Sequence, residues 1–276
     1  MKKPAKTEAP KQSVVPQPES QVPATIEEFE EHAGEGLEHV TARDLIIPRL
    51  TILQAMSPQL KAKKAEYIEG AKIGDICDVG NGELFEEPLE FLPVHYLKQW
   101  LEWAPRDSGK GLVKIHNEPD ILDDCIRDER NRTITKDGNL VAETAQFFGL
   151  NLSAGMRRSF LPMASTQLKK ARKWLTLATG EKVTRTNGTQ YTPPLFYRIY
   201  LLGTVPEENA SGDWVGWRVE RGRCLKDVEG FRPIMEEAIA FRESITKGEV
   251  RGDVTALQEE EQTQGSATRA EDKVPF

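Results

Sequence analysis

Apolar and polar residues alternate along several stretches of the chain, and this alternation predicts β-strands. The longest stretch is "LEFLPVHYLKQWLEW", residues 89–103, whose last part fits a helix equally well. "GDICDVGNGELF" predicts two strands joined by a turn at Asn81-Gly82, and "LFYRIYLLGTV" with "DWVGWRVERG" predicts a hairpin. Further strands are predicted at "DLIIPRLTILQ", "NLVAETAQFFGLNLSA" and "RRSFLPMAST".

Other segments carry apolar residues at helical spacing. "STQLKKARKWLTLATG" predicts a helix with Ser165 or Thr166 as N-cap and Gly180 as C-cap. "EPDILDDCIRDE" predicts a short helix, and "FRPIMEEAIAFRESITKG" predicts a longer amphipathic one. The apolar face of the longer helix is formed by Ile234, Ala238, Phe241 and Ile245.

Strands outnumber helices in this pattern, so the predicted fold class is α+β and strand-rich. The pattern is compatible with a small β-barrel that carries insertions, although periodicity does not separate a barrel from a sandwich. Residues 1–40 and 248–276 are polar tails that we expect to be disordered, each with a net charge of −4. Because the whole chain carries −7, the intervening body, residues 41–247, is nearly neutral.

Composition narrows the class of protein. No stretch approaches the roughly 20 apolar residues that cross a bilayer, and no apolar run follows the N-terminal lysines as in a signal peptide. The three cysteines lie outside any CxxC spacing, and the four histidines are scattered. We therefore expect a cytoplasmic protein with no metal and no cofactor.

Sequence motifs of catalysis are missing: there is no phosphate loop, HExxH pair, GxSxG elbow or dinucleotide fingerprint. Clustered carboxylates such as Asp123 and Asp124 would suit a two-metal nuclease, but solvated surface explains them more simply. Cys125 and His116 would need a third group to form a nucleophilic site. We expect a protein that is not an enzyme.

Residues 144–180 combine positive charge with aromatic rings. The stretch has six basic residues and no acidic one, although about six acids would be expected from the 44 in the chain. Phosphates attract diffuse positive charge and unstacked bases stack on flat rings, so the stretch predicts nucleic-acid binding. A solvated basic helix with core phenylalanines is the alternative. The candidate DNA-binding residues here are Phe148, Arg157, Arg158, Phe160, Lys169, Lys170, Arg172, Lys173 and Trp174.

Three further candidates lie on predicted strands. Lys98 and Trp100 share one face of the strand at 89–103, with Trp103 on the other face. Arg198 alternates with Tyr197 in "FYRIY". These side chains are candidate groove residues, and core packing is the alternative for each of them.

The last residues, "EDKVPF", resemble the acidic tail tip of bacterial single-stranded DNA-binding proteins, which ends in aspartates followed by Ile-Pro-Phe. The matching residues are Asp272, Val274, Pro275 and Phe276, and Lys273 interrupts the acidic run. Residues 41–247 resemble tailed-phage proteins with segments similar to "IPRLTILQAMSP", "GAKIGDICDVGNGELF" and "LEFLPVHYLKQW". Such proteins are encoded near phage replication genes.

These resemblances imply a phage single-stranded DNA-binding protein that acts in DNA replication and recombination. They also imply an OB-like barrel with insertions, and a tail tip that docks on phage or host replication proteins. The alternatives are a recombination annealing protein, a DNA-processing nuclease, and an inhibitory or protein-interaction factor that touches no DNA. Whether the chain forms a homo-oligomer stays open.

Overall fold

In the computed structural model the chain divides into two units, Met1–Val40 and Thr41–Phe276. The structure describes residues 29–254 except 31, 42, 43, 45, 210, 211 and 253. In the first unit a helical turn lies at Phe29, whose carbonyl accepts a hydrogen bond from the amide of His32 at 3.2 Å. The tails predicted to be disordered lie mostly outside the described residues, so that expectation stays a prediction.

The second unit is built on an eight-stranded antiparallel sheet. The strands of this sheet are β4 (Leu89–Trp103), β5 (Leu112–His116), β6 (Ile126–Arg127), β7 (Thr133–Ile134), β8 (Leu140–Asn151), β9 (Arg157–Ala164), β12 (Arg198–Asn209) and β13 (Gly212–Cys224). Their order in the sheet is β13-β12-β4-β8-β7-β6, with β5 also paired to β4 and β9 also paired to β8.

Two small sheets and two helices complete the described fold. The small sheets contain β1 (Leu50–Ile52), β2 (Ile76–Asp78) and β3 (Glu83–Phe85), and β10 (Val183–Thr184) with β11 (Gln190–Tyr191). The helices are α1 (Leu168–Thr179) and α2 (Phe231–Thr246). The predicted strand-rich α+β class is confirmed.

The large sheet curls into a half-barrel, compatible with the predicted OB-like architecture and its insertions. The strand path has two ends, β13 and β6, so the sheet is open. Its register shifts between Pro93 and His95 of β4, and such bulges bend and twist a strand. Strand β4 continues through Trp103, which excludes the helical alternative for its last part.

The sheet separates two hydrophobic cores. Neighbouring residues of one strand face opposite sides, so Phe91 and Phe147 belong to one core while Leu92 and Phe148 belong to the other. Helix α2 packs on the core of Leu92, and α1 with β1 and β2 packs on the core of Phe91. Helices α1 and α2 therefore lie on opposite faces of the sheet.

The helix ends differ in part from the sequence prediction. Helix α1 is preceded by a 3-10 turn, Ser165–Gln167, so neither Ser165 nor Thr166 is its N-cap. Gly180 is its C-cap, as predicted. The "PDILDD" segment forms a 3-10 helix, Pro119–Asp124, rather than an α-helix.

The body extends past residue 247, where the C-terminal tail was predicted to begin. Val250 and Val254 are buried in the core that α2 covers, and Gly252 forms a parallel bridge with Ile47. Two valines spaced four residues apart among charged neighbours gave too weak a periodic signal to be recognised as core.

Candidate nucleic-acid interface

Helix α1 presents basic side chains to solvent because its apolar residues hold the opposite face on the sheet. Ala171 and Trp174 are buried, three residues apart, while Lys169, Arg172 and Lys173 are exposed. These three basic residues share one face of the helix, because their spacing is i, i+3 and i+4.

The positive charge of this face is only partly neutralised. Arg172 Nη2 lies 3.6 Å from Glu143 Oε1, and Lys170 Nζ lies 2.8 Å from Glu207 Oε2. For Lys169 and Lys173, no carboxylate within the described part of the chain comes within 4 Å. These two ammonium groups are free to pair with phosphates.

The strands beside α1 extend this charged surface. Lys98 Nζ lies 2.8 Å from Glu143 Oε1 and 5.0 Å from the ring centroid of Trp100. Glu143 of β8 thus joins Lys98 of β4 to Arg172 of α1. Tyr96 lies on the same face, half-buried, and its pKa is raised by burial and by Glu143. Tyr96 and Glu143 were not predicted, because each is an ordinary strand residue until the pairing of β4 with β8 brings them to α1.

The predicted DNA-stacking aromatics are core residues instead. Trp174 stacks on Phe147 with 4.0 Å between ring centroids, and Phe148 stacks on Phe160 at 5.7 Å. All four rings are fully buried, so they are not available to bases. Trp100 is nearly buried, and Trp103 lies in the opposite core, as predicted from their spacing.

The predicted DNA-binding arginines are occupied in ion pairs. Arg157 forms an ion pair with Glu83, and its Nη1 also lies 3.2 Å from Oδ2 of the buried Asp78. Arg158 Nε donates to Glu237 Oε1 of α2 at 2.6 Å and lies over Phe241.

Arg198 makes the same kind of internal contact. Its Nε donates to Glu181 Oε2 at 2.7 Å, and its Nη1 donates to the carbonyl of Gly222 at 2.6 Å. The three arginines therefore connect elements of the fold. Sequence alone could not show this, because their acidic partners are 17 to 79 residues away.

His116, considered above as part of a nucleophilic site, lies on β5 opposite Trp100 and contacts Glu102 of β4. Glu102 accepts hydrogen bonds from Asn139 Nδ2 at 2.7 Å and contacts His116 Nε2 at 2.8 Å. Burial raises the pKa of Glu102, but the hydrogen bonds from Asn139 and His116 outweigh it and hold the pKa below its ordinary value. Asp124 pairs with Lys136 at the surface. Among the residues that the structure describes, no three His, Cys, Asp or Glu side chains are grouped to hold a metal ion.

The docking residues predicted at the C-terminus, Asp272, Val274, Pro275 and Phe276, lie outside the described residues. Across the part of the chain that the structure describes, no helix has both the length and the apolar character to cross a membrane.

The fold and the basic surface define a strand-rich α+β protein with an open, curled antiparallel sheet and an exposed cationic helix. A family model described as Pam3 phage gp34-like protein matches residues 16–251. The chain therefore belongs to this family of phage proteins. No curated protein and no solved structure matches it.

Proposed function

We propose that the protein binds single-stranded DNA without sequence specificity during phage DNA replication or recombination in the host cytoplasm. The observation that carries the proposal is the exposed face of α1, where Lys169, Arg172 and Lys173 project from a segment without acidic residues. Positive side chains that contact phosphates bind any sequence, because the backbone of DNA is the same at every step.

Several features favour a single strand over a duplex. Tyr96 offers a partly exposed ring beside Arg172, and Lys98 lies nearby over Trp100. A ring next to basic groups suits a strand whose bases are unstacked. The resemblance of the last six residues to the tails of bacterial single-stranded DNA-binding proteins points the same way.

The test compares two triple variants that remove equal charge. One carries Lys169→Gln, Arg172→Gln and Lys173→Gln on α1. The control carries Arg232→Gln and Arg242→Gln on α2 and Lys247→Gln at its C-cap, across the sheet. Fluorescence anisotropy with labelled oligo-dT at several salt concentrations measures affinity. We expect the α1 variant to bind at least tenfold more weakly, with the slope of log K against log salt reduced by about 2. The control should bind like the natural chain.

Four results would contradict the proposal. They are equal affinity for duplex and single strand, no oligo-dT binding at low salt, equal losses in both triple variants, and Mg²⁺-dependent cleavage of the oligonucleotide. Cleavage that stops on Asp123→Asn or Asp124→Asn would point to a nuclease. Rapid pairing of complementary strands would point to an annealing protein.

The second part of the proposed function is that the C-terminal tip recruits replication proteins. Phe276→Ala removes the terminal ring without changing the charge of the tail. We expect this variant to bind oligo-dT normally and to lose co-purification with the phage or host replication protein that the natural chain retains. Unchanged co-purification would contradict a docking role for the tip.

A further inference from the structure

A cavity of about 440 Å³ opens beside the small sheet β1-β2-β3. Its walls come from the long loop between β1 and β2 and from the turn between β2 and β3. The lining includes Gln59, Glu66, Tyr67, Glu69, Val79 and Gly82. None of these residues belongs to the surface around α1.

Backbone hydrogen bonds fold the loop into consecutive turns. The amides of Lys61, Lys64 and Tyr67 donate to carbonyls three residues earlier, at 2.9, 2.8 and 3.2 Å. The amide of Ile68 then donates to the carbonyl of Gln59 at 2.9 Å and closes the loop on itself. The cavity wall is therefore held by the backbone and does not need a ligand to form.

The polar groups of the cavity include the side-chain amide of Gln59. This residue is 6% exposed and lines the cavity. An amide presents both a donor and an acceptor, which match the hydrogen-bonding edge of a nucleobase.

Two of the lining residues, Glu66 and Glu69, are acidic and exposed. Carboxylates repel a phosphate but accept hydrogen bonds from the N–H groups of a base. Tyr67, which is 43% exposed, supplies a ring at the rim. A flat, uncharged ring with N–H donors therefore fits this cavity better than an anion does.

Basic side chains lie on the loop outside the cavity. Lys61, Lys63 and Lys64 are not among the lining residues, and no ion pair is found for them among the residues that the structure covers. Positive groups beside an acidic, ring-lined cavity match the alternation of phosphate and base along a single strand.

The loop begins next to the N-terminal end of α1. Gln54 Nε2 donates to the carbonyl of Val215 at 2.8 Å, and the amide of Trp217 donates to Gln167 Oε1 at 3.0 Å. Val215 and Trp217 are two residues apart on β13, a separation of about 7 Å. The start of the loop and the N-terminal end of α1 therefore both lie against β13, at one edge of the sheet.

We propose that this cavity binds one base of the single-stranded DNA that α1 attracts. Tyr67 stacks on the base, Gln59 hydrogen-bonds its edge, and Lys61, Lys63 and Lys64 hold the flanking phosphates. This inference rests on the proposed function and adds to it a base subsite beyond the phosphate contacts of α1.

The experiment measures how tightly the protein binds an oligo-dT of about twelve nucleotides and an abasic oligomer of the same length. Tyr67→Ala is compared with Met56→Ala, a similarly exposed residue of the same loop that does not line the cavity. We expect Tyr67→Ala to weaken oligo-dT binding about 5- to 100-fold and to leave the abasic oligomer unaffected. Met56→Ala should match the natural chain on both.

Two further variants separate the roles of the amide and the lysines. Gln59→Leu keeps the volume of the side chain, so it should weaken oligo-dT binding without lowering the unfolding temperature. A triple variant with Lys61→Gln, Lys63→Gln and Lys64→Gln should bind both oligomers more weakly. It should also reduce the slope of log K against log salt by about 2.

The outcomes distinguish the two proposals. If the natural chain binds oligo-dT while Tyr67→Ala binds it equally well, the base subsite is wrong and the proposed function stands. Equal binding of oligo-dT and the abasic oligomer by the natural chain would also overturn the subsite. If the natural chain binds neither oligomer, both proposals fall together.

Discussion

Trp174 connects α1 to the sheet through ring contacts with three other aromatic residues. It stacks on Phe147 and meets Phe91 and Tyr200 edge-on, with centroid distances of 6.1 and 5.2 Å to the latter two. A large buried ring stabilises the fold through its buried area and its ring contacts. Because Trp174 fixes one face of α1 against the sheet, the basic residues on the opposite face are exposed.

Trp174→Ala should therefore act on stability first. We expect the free energy of unfolding in urea to fall by about 3–5 kcal/mol, since a buried ring is replaced by a cavity. Trp174→Phe, which keeps a ring, is the control and should lose less. Weaker oligo-dT binding with an unchanged unfolding midpoint would instead show that Trp174 contacts DNA.

Arg157 is a second residue whose role the structure redefines. Asp78 is fully buried, and its carboxylate also accepts hydrogen bonds from the amides of Gly80 and Asn81. Arg157→Ala leaves this carboxylate without its cation, so we expect unfolding free energy to fall by about 1–3 kcal/mol. Urea denaturation measures the loss. Arg218→Ala, at an exposed ion pair, is the control and should change stability by less than about 1 kcal/mol.

At the scale of elements, the ion pair between Glu181 and Arg198 fixes the segment after α1 to β12. The hydrogen bond from Arg198 lowers the pKa of Glu181 below its ordinary value of 4.5, although burial opposes this. A lowered pKa in the folded state means that the pair stabilises the fold above about pH 4.5. This contribution is lost as the pH falls through the folded-state pKa.

Glu181→Gln should consequently lower the unfolding temperature at pH 7, with about 1–3 kcal/mol less stability. The difference from the natural chain should shrink as the pH falls from about 5 to 3, because the natural carboxyl is then protonated as well. Thermal unfolding followed by circular dichroism at about pH 5 and about pH 3 checks this. A stability difference between variant and natural chain that stays constant over this range would contradict a lowered pKa of Glu181 in the folded state.

At the scale of the whole molecule, the residues after α2 belong to the folded body. Val250 and Val254 are almost completely buried in the same core as Phe241. A chain ending at Val254 should be more stable than one ending at Lys247 by about 2–5 kcal/mol, the value of burying two valine side chains. Urea denaturation of the two chains tests this, and equal midpoints would contradict it.

The local elements could be predicted because their signals are local. The alternation in 89–103, the turn residues Asn81-Gly82 and the apolar spacing of "FRPIMEEAIAFRESITKG" depend on neighbours a few residues apart. The exposed basic face of α1 was predictable for the same reason. What failed was the assignment of single residues, since a phenylalanine in a core strand and one in a binding groove have the same neighbours in sequence.

The sequence by itself determined the strand-rich class, the two helices and the positive charge of α1. The spacing of apolar residues that distinguishes strands from helices is a property of short segments. Only the tertiary structure decided that Phe148, Phe160 and Trp174 are core, and that Arg157, Arg158 and Arg198 are held by distant carboxylates. It also brought the loop of Tyr67 to the edge of the sheet where α1 begins. Contacts between residues far apart in the chain depend on strand pairing and packing, which no short segment specifies.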